Sequence, residues 1–386
     1  MSPELCATVH LSTSSIEADI WNALVPGTNA VPDNPFLDHA FFLALEASGS
    51  AVPETGWQPQ HIVLSRGQTP VGLMPLFLKS HSQGEYVFDH AWAEAIERAG
   101  GRYYPKLQCS VPFTPVSAPK LLVPSGEAEL KSALLDTAQH LAERLSASSV
   151  HATFVTEQEA ELAENNQWLV RHDTQFHWHN KGYSDFIAFL ASLSSRKRKA
   201  IKRERRQALV DGLAVEWISG NDLTETHWDH FFEFYQNTGA RKWGQPYLTR
   251  QFFSLLSQTM PERIVLMLAR DGSDYVAGAL NLVGKETIYG RYWGCSRDIA
   301  FLHFEMCYYQ AIDYAIAHKL KTVEAGAQGP HKLARGYAPV VTRSIHWLQN
   351  PSLRRTVAGY LEQERKAVAR DQEFLAGRKP YKKQEN

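Results

Sequence analysis

The densest group of polar side chains in the sequence follows a predicted strand that ends at Glu324. Glycines come next, and Gln328, His331, Lys332 and Arg335 then fall within eight positions. Glycine lets a backbone approach a ligand closely, and exposed N–H groups suit an anion. Lysine and arginine neutralise phosphate or carboxylate groups, and a histidine can transfer a proton near neutral pH. The segment therefore predicts an anion-binding loop with a proton-transfer group, and a solvated polar loop is the alternative.

A second polar group surrounds the end of another predicted strand and the start of the next helix. Arg291 and Trp293 lie on the strand, Arg297 lies in the turn, and His303 and Glu305 lie early in the helix. A helix N-terminus favours negative ligands. A carboxylate among the aromatic and apolar residues of this helix would have a raised pKa and could act as a base. We predict that Glu305, His303 and the histidine of the first group handle protons, with a buried structural histidine as the alternative.

A third group lies in the first half of the chain, in a segment rich in proline. Tyr103 and Tyr104 stand beside Pro105, and the prolines between residues 103 and 116 argue against a helix or a central strand. We therefore expect an ordered loop whose aromatic rings form a recognition wall, with a packed structural loop as the alternative. The residues that we expect to bind substrate are Tyr103, Tyr104, Arg291, Trp293, Gln328, Lys332 and Arg335.

Positive charge is concentrated in the second half of the chain. Residues 1–195 hold 10 Lys and Arg against 21 Asp and Glu, whereas residues 196–386 hold 30 against 20. Eight of these cations lie within residues 196–206, where Glu204 is the one acid. The alternatives are a solvated basic helix face and a phosphate-binding surface for RNA or a nucleotide cofactor. The residues that we expect to contact donor phosphates are Arg196, Arg198, Lys199 and Arg297.

The composition of the 386 residues is that of a globular protein. Hydrophobic residues make up 44%, charged residues 21% and aromatic residues 11%, which excludes a disordered chain. No apolar run is long enough for a transmembrane helix, and the N-terminus lacks the pattern of a secretory signal. The four cysteines form no CxxC pair, so we expect neither a disulfide scaffold nor a metal site, and we expect a cytoplasmic protein.

The order of predicted elements is repeated along the chain. Helices, a strand, a hairpin, a helix and two further strands occur once before residue 180 and once after it. The hairpin segments 71–76 (VGLMPL) and 277–282 (AGALNL) also resemble each other. Repetition of one unit, with mixed helices and antiparallel hairpins, predicts an α+β fold of two tandem domains. We place the domains at 1–180 and 181–350, followed by a basic helical tail at 351–386, and expect the site in a groove between the units or at a splayed sheet.

Three stretches of this sequence resemble the FemAB-like family, a bacterial group described as peptidoglycan biosynthesis or recognition proteins. They are residues 103–116 (YYPKLQCSVPFTPV), 193–199 (LSSRKRK) and 324–337 (EAGAQGPHKLARGY). The resemblance implies two tandem domains of the GNAT (Gcn5-related N-acetyltransferase) fold, with mixed sheets flanked by helices. It also implies transfer to an amine from aminoacyl-tRNA, as in Fem enzymes, or from acetyl-CoA, as in ordinary GNAT enzymes. The GNAT pyrophosphate loop is not recognisable at residues 294–300, which keep only Arg297.

The residues and the resemblance together predict an amide-forming transferase. An activated acyl or aminoacyl group would pass to an amine acceptor, either a peptidoglycan precursor or a small metabolite. The donor would be aminoacyl-tRNA or acyl-CoA, without a metal, and backbone N–H groups near residues 327–329 would stabilise the oxyanion. Two alternatives stay open: an acetyl-CoA-dependent N-acetyltransferase, and a non-catalytic protein that binds muropeptides or nucleotides on a transferase fold.

Overall fold

A computed structural model describes residues 4–26, 32–209, 212–242, 246–326, 329–377 and 380–382. The chain divides into two compact units. The first unit comprises Met1–Asp173 and Val341–Arg370, and the second comprises Thr174–Val340 and Asp371–Asn386. The boundaries after residues 180 and 350 stay a prediction.

The described strands and helices alternate along both units. The strands are β1 (Leu5–His10), β2 (Trp57–Pro59), β3 (His61–Arg66), β4 (Thr69–Met74), β5 (Leu76–Lys79), β6 (Lys106–Cys109), β7 (Ser149–Val155), β8 (Leu169–His179), β9 (Ala214–Ser219), β10 (Ile264–Asp271), β11 (Asp274–Val283), β12 (Thr287–Cys295), β13 (Thr322–Glu324) and β14 (Ala338–Leu348). The helices are α1 (Ala18–Leu24), α2 (His39–Ala47), α3 (His90–Arg98), α4 (Ala128–Arg144), α5 (Glu157–Asn165), α6 (Phe186–Ser192), α7 (Ser195–Ala208), α8 (Glu225–Lys242), α9 (Arg250–Thr259), α10 (Leu302–Phe304), α11 (Gln310–Ala317) and α12 (Pro351–Ala376).

The first unit is built on a mixed sheet with a smaller antiparallel sheet. Strands β2, β5, β6, β7 and β14 follow one another in the mixed sheet, where β6 and β7 are parallel. Strands β1, β3 and β4 form the antiparallel sheet. Helix α4 packs its apolar face, which includes Leu134 and Ala138, against this unit's core. Helices flank sheets with both parallel and antiparallel pairs, so the predicted α+β class is confirmed.

The sequence prediction of a loop throughout residues 103–116 is wrong, because strand β6 lies within it. Lys106–Cys109 pairs with β5 on one side and with β7 on the other, and all four residues are buried. Pro105 and Pro112 fall outside these four residues, so each residue of β6 keeps its backbone N–H. Prolines that flank a strand therefore do not exclude a central position.

The second unit has a mixed sheet in the order β8, β13, β12, β11, β10 and β9. Among the described strand pairs of this unit, β12 and β13 are parallel and the others are antiparallel. Helices α6 and α11 contribute Phe189, Leu190 and Ile312 to a core that also contains Trp178 of β8 and Val323 of β13. This sheet positions the candidate site.

Candidate functional site

Strands β12 and β13 separate within the second unit. They pair in parallel from Thr287 with Thr322 to Tyr289 with Glu324. Strand β13 ends there, whereas β12 continues to Cys295, and the pairing of β12 with β11 has a bulge at the same level. The strands thus form a wedge that holds a cavity of about 100 Å³. The cavity is lined by Ala279, Leu280, Asn281, Gly290, Arg291, Tyr292, Trp293, His303, Cys307, Tyr308 and Ala325.

A π-helical turn, Glu305–Tyr309, joins α10 to α11 beside the cavity. Such wide turns occur frequently at functional sites, because the extra residue redirects the side chains of a helix. Cys307 and Tyr308 of this turn line the cavity, while the side chain of Glu305 is fully buried. The turn therefore presents one part of its surface to the cavity and another to the protein interior.

Tyr308 and His331 form a hydrogen-bonded pair at this cavity. The Oη atom of Tyr308 lies 2.8 Å from Nε2 of His331. Burial raises the pKa of the Tyr308 phenol, so the phenol keeps its proton. Burial, together with the charges of Arg335 and Lys332, lowers the pKa of His331, so its ring is neutral near pH 7. A neutral imidazole bonded to a protonated phenol can accept one proton and release another.

The backbone of Gly329 makes room for the His331 ring. Gly329 has a φ of +129°, and a Cβ atom there would lie 2.6 Å from Cε1 of His331. A side chain at this position would both strain the backbone and displace the imidazole. The glycine before the histidine thus contributes to the position of the ring.

Two buried cations flank the cavity. The Arg291 side chain is 1% exposed, and its Nη2 atom lies 3.2 Å from Oε2 of Glu324. Lys332 is equally buried, and its ammonium group donates to the carbonyl groups of Ala325 and Gly326. Burial and the charge of Arg291 lower the pKa of Lys332 to about 8. Lys332 is therefore mainly charged at neutral pH, and Arg291 forms an ion pair with Glu324.

The basic helix α7 is anchored to the site by two adjacent residues of opposite charge. The first is Glu204, whose Oε2 atom accepts hydrogen bonds from Tyr309 and from Nη2 of Arg335, the latter at 3.0 Å. Arg335 also donates from Nη1 to the carbonyl of His331 at 2.8 Å and lies 3.5 Å from the ring centre of Phe304. Glu204 therefore fixes the side chain of Arg335, which in turn donates a hydrogen bond to the backbone of His331.

The second anchor is Arg205, which binds the π-turn. Its Nη2 and Nε atoms donate to the two carboxylate oxygens of Glu305 at 2.8 and 3.1 Å, and Nη2 also meets Asp313 at 2.7 Å. Gln310 donates a further hydrogen bond to Glu305 at 2.8 Å. Burial raises the pKa of both carboxyl groups even though the guanidinium opposes that shift. Glu305 is thus occupied by partners on both of its oxygens.

The outer face of α7 carries a stripe of exposed cations, which we call the basic stripe: Lys199, Lys202, Arg203 and Arg206. Their spacing of i, i+3, i+4 and i+7 places them on one face, opposite the buried Ile201. No carboxylate of the described residues lies within 4.0 Å of their charged groups. Within the described part of the chain, the stripe is therefore a positive surface without a carboxylate partner.

The structure brings together most of the residues predicted in the second half. Arg291, Trp293 and His303 line the cavity, His331 bonds to a residue that lines it, and Lys332 lies against its wall. Arg335 and Glu305 belong to the anchors of α7 described above. Arg196 and Lys199 are exposed on α7, and Arg198 is half-buried there. Their catalytic and binding roles stay predictions.

Other predicted residues are not part of this arrangement. Tyr103 belongs to the first unit, is 1% exposed and donates to Asp89 at 2.5 Å. Tyr104 neighbours it in sequence and bonds to Ser82 at 2.8 Å. Arg297 is exposed and forms an ion pair with Asp271. Gln328 and the oxyanion donor proposed at residue 327 lie outside the described residues.

Sequence reasoning gave no role to four residues that the geometry makes prominent: Asn281, Cys307, Tyr308 and Glu204. Asn281 on β11 and Cys307 on the π-turn line the cavity, and the apolar pattern around each of them does not distinguish it from a core residue. The exception is Glu204, which carried a signal. A single acid in a run of eight cations indicates a specific partner, and Glu204 forms an ion pair with Arg335.

Comparison with known proteins agrees with this architecture. A sequence profile of the FemAB-like family, described as peptidoglycan biosynthesis/recognition, matches residues 12–383. No curated protein matches the chain in sequence.

Three solved structures share the fold. FemX is 14% identical, with 92% of this chain and 100% of that chain covered and a TM-score of 0.53. A protein of unknown function from Bacteroides thetaiotaomicron is 12% identical, with 89% and 100% covered and a TM-score of 0.54. L-PGS from Bacillus licheniformis is 9% identical, with 83% and 95% covered and a TM-score of 0.50. The chain thus shares the fold of FemX and of L-PGS.

The described residues contain neither a membrane-spanning helix nor a cluster of metal ligands. None of the helices in these residues combines the length and the apolar character needed to cross a bilayer. Within the same part of the chain, no three His, Cys, Asp or Glu side chains gather as a metal site would require.

The first prediction concerns Arg205. Replacing it with methionine leaves the buried Glu305 carboxylate without its cation, which typically destabilises a protein by about 3–5 kcal/mol. We expect this loss in urea unfolding at pH 7. The loss should shrink as the pH falls. In R205M the unpaired Glu305 has a higher pKa in the folded than in the unfolded state, so its protonation stabilises the folded variant at low pH.

The controls separate this pair from ion pairs in general. The double variant R205M/E305Q should recover part of the loss, because Glu305 no longer carries a charge, while the half-buried Asp313 still lacks its cation. Arg270→Met breaks an exposed pair with Glu216 and should change stability by less than about 1 kcal/mol. Equal losses in R205M and R270M would contradict the anchoring role of Arg205.

Proposed function

This chain belongs to the FemAB-like family, and we propose that it is an amide-forming transferase that moves an activated acyl or aminoacyl group to an amine. The proposal rests above all on one observation: the Tyr308–His331 pair lies at a cavity between two separating parallel strands. The family description and the shared fold support transferase chemistry in peptidoglycan biosynthesis. The acceptor is then a peptidoglycan precursor or a related amine.

The proposed reaction forms one bond and breaks another. The neutral amine attacks the carbonyl carbon of the donor, a C–N bond forms, and the C–O or C–S bond to the leaving group breaks. The amine gives a proton to the pair of His331 and Tyr308, and the leaving group takes one from it. The lowered pKa of His331 supports the accepting role, and the raised pKa of Tyr308 supports the donating role.

The predicted catalytic residues then divide into two kinds. His331 handles protons. His303 lines the cavity, where its ring lies 5.4 Å from the rings of Trp293 and Tyr308, and it would there contact the transferred group. We propose that Glu305 is a positioning residue, because Arg205 and Gln310 already bind its carboxylate. Tyr103 and Tyr104 would then serve the first unit in acceptor binding or in its structure.

The basic stripe supports a polyanionic donor. Residues 196–206 of an α-helix extend over roughly 15 Å at 1.5 Å per residue, and the cations of the stripe have no carboxylate partners in the described part of the chain. A phosphodiester backbone can place several phosphates along a row of cations of this length, whereas a single pyrophosphate would contact only part of the row. We therefore propose aminoacyl-tRNA rather than acyl-CoA as the donor, with Arg196, Arg198 and Lys199 among the phosphate contacts.

The donor is tested by the salt dependence of binding. We expect bulk tRNA to raise the melting temperature more than acetyl-CoA does, and charged tRNA to raise it more than uncharged tRNA. Replacing Lys199, Lys202 and Arg206 with glutamine should make the dependence of the tRNA association constant on salt less steep. The magnitude of the negative slope of log K against log salt should fall by about 2–3, because each phosphate contact contributes about 0.7–0.9.

A matched variant controls for the loss of three charges. Arg355, Lys366 and Arg370 are exposed cations of helix α12, and their replacement with glutamine should leave the slope unchanged. A response to acetyl-CoA without a response to tRNA would favour a conventional acetyltransferase. No response to either would favour a non-catalytic binding protein.

The proton-handling pair is tested by two substitutions. Tyr308→Phe and His331→Gln should each lower the transfer rate by about 10²–10⁴-fold, the usual contribution of a positioned acid or base. Donor affinity should change little, since the basic stripe is intact. His318→Gln, an exposed histidine on the same unit, serves as the control. A fall in affinity with an unchanged rate constant would assign the pair to binding instead.

A further inference from the structure

Lys332 occupies an unusual position for a lysine. Its ammonium group is buried against the cavity wall, where it donates to the Ala325 carbonyl and lies 5.9 Å from the ring centre of Tyr308. Both of those residues line the cavity. The two hydrogen-bond acceptors of the ammonium group are neutral carbonyls, and no carboxylate of the described residues lies within 4.0 Å of it.

The charges around Lys332 do not balance. The titratable groups that surround it are Arg291 on β12, Glu324 on β13, Cys307 and Tyr308 on the π-turn, and His331 and Arg335 on its own segment. Arg335 is paired with Glu204. Glu324 pairs with Arg291 and also lies 4.0 Å from His177, whose pKa is lowered by burial. Lys332 is thus a buried cation without a carboxylate partner among the described residues, and an unbalanced charge is costly in such a site.

We propose that Arg291 and Lys332 form a subsite for a carboxylate of the amine acceptor. This inference rests on the proposed function and adds to it a class of acceptor: amino acids or peptides with a free carboxylate near the reacting amine. A carboxylate would restore the charge balance, and guanidinium and ammonium groups are its usual partners in proteins. A cavity of about 100 Å³ suits one such small group.

The subsite is tested with a pair of probes that differ by one charge. N-acetylglycine has a carboxylate but no free amine, so it can bind without being acylated, and N-acetylglycinamide is its neutral counterpart. We expect NMR titration of the full chain at pH 7 to give a Kd for the acid at least tenfold below that of the amide. The acid should bind about tenfold or more weakly at pH 9.5, because Lys332 then loses its proton.

Substitutions place the binding at these residues. Lys332→Met should weaken binding of N-acetylglycine about tenfold or more and abolish its pH dependence. Lys321→Met, which removes an exposed lysine of the same unit, should leave the Kd unchanged. Where K332M does not fold, the acid–amide ratio and the pH dependence of the unmodified protein decide the question.

Three results would overturn the subsite. Equal binding of acid and amide would exclude charge recognition. Absence of binding by N-acetylglycine would mean that the cations act on charge that develops only during transfer. Inorganic phosphate that competes as well as N-acetylglycine would indicate a general anion site. A protein that binds N-acetylglycine but transfers nothing would contradict the proposed function alone, and one that acylates acids and amides equally would contradict the subsite alone.

Discussion

The bidentate contact between Arg205 and the buried carboxylate of Glu305 is the interaction on which the rest of the site depends. It joins the basic helix to the π-turn that presents Cys307 and Tyr308 to the cavity. A buried carboxylate needs a cation with good geometry, so this contact favours the observed register of α7 over registers that would leave Glu305 unpaired. The adjacent Glu204 reinforces this register because it needs a cation of its own, which Arg335 supplies. An acid and a base side by side thus fix the helix against two different segments.

This arrangement gives one helix two surfaces with different chemistry. The inward charges are satisfied within the protein, whereas the outward cations lack carboxylate partners in the described residues. The same division appears near the cavity, where Arg335 is paired with Glu204, whereas the hydrogen-bond acceptors of Lys332 among the described residues are carbonyl groups. Charges with partners shape the site, and charges without them are available to a ligand. This division supports a polyanionic donor at the basic stripe and a small anion at the cavity.

The sequence predicts the polar clusters well because their residues are close together along the chain. The strands, the hairpin at residues 277–282 and the loop after Glu324 follow from local patterns, and so does the α+β class. The partners of Glu305 do not, because Arg205 is one hundred residues away and nothing in the local sequence specifies the contact. For the same reason the sequence does not predict the Tyr308–His331 pair. It predicts a loop at β6 because flanking prolines carry no information about strand pairing.

The central claim is that the donor's acyl group enters the cavity of the second unit, and Cys307 allows a direct measurement of it. Cys307 lines that cavity, whereas Cys6 is exposed on the first unit. Alkylation by N-ethylmaleimide can be followed for each cysteine by mass spectrometry of its peptide. We predict that charged tRNA slows the alkylation of Cys307 more than uncharged tRNA does and leaves that of Cys6 unchanged. Alkylation of Cys307 at the same rate with and without charged tRNA would contradict the claim.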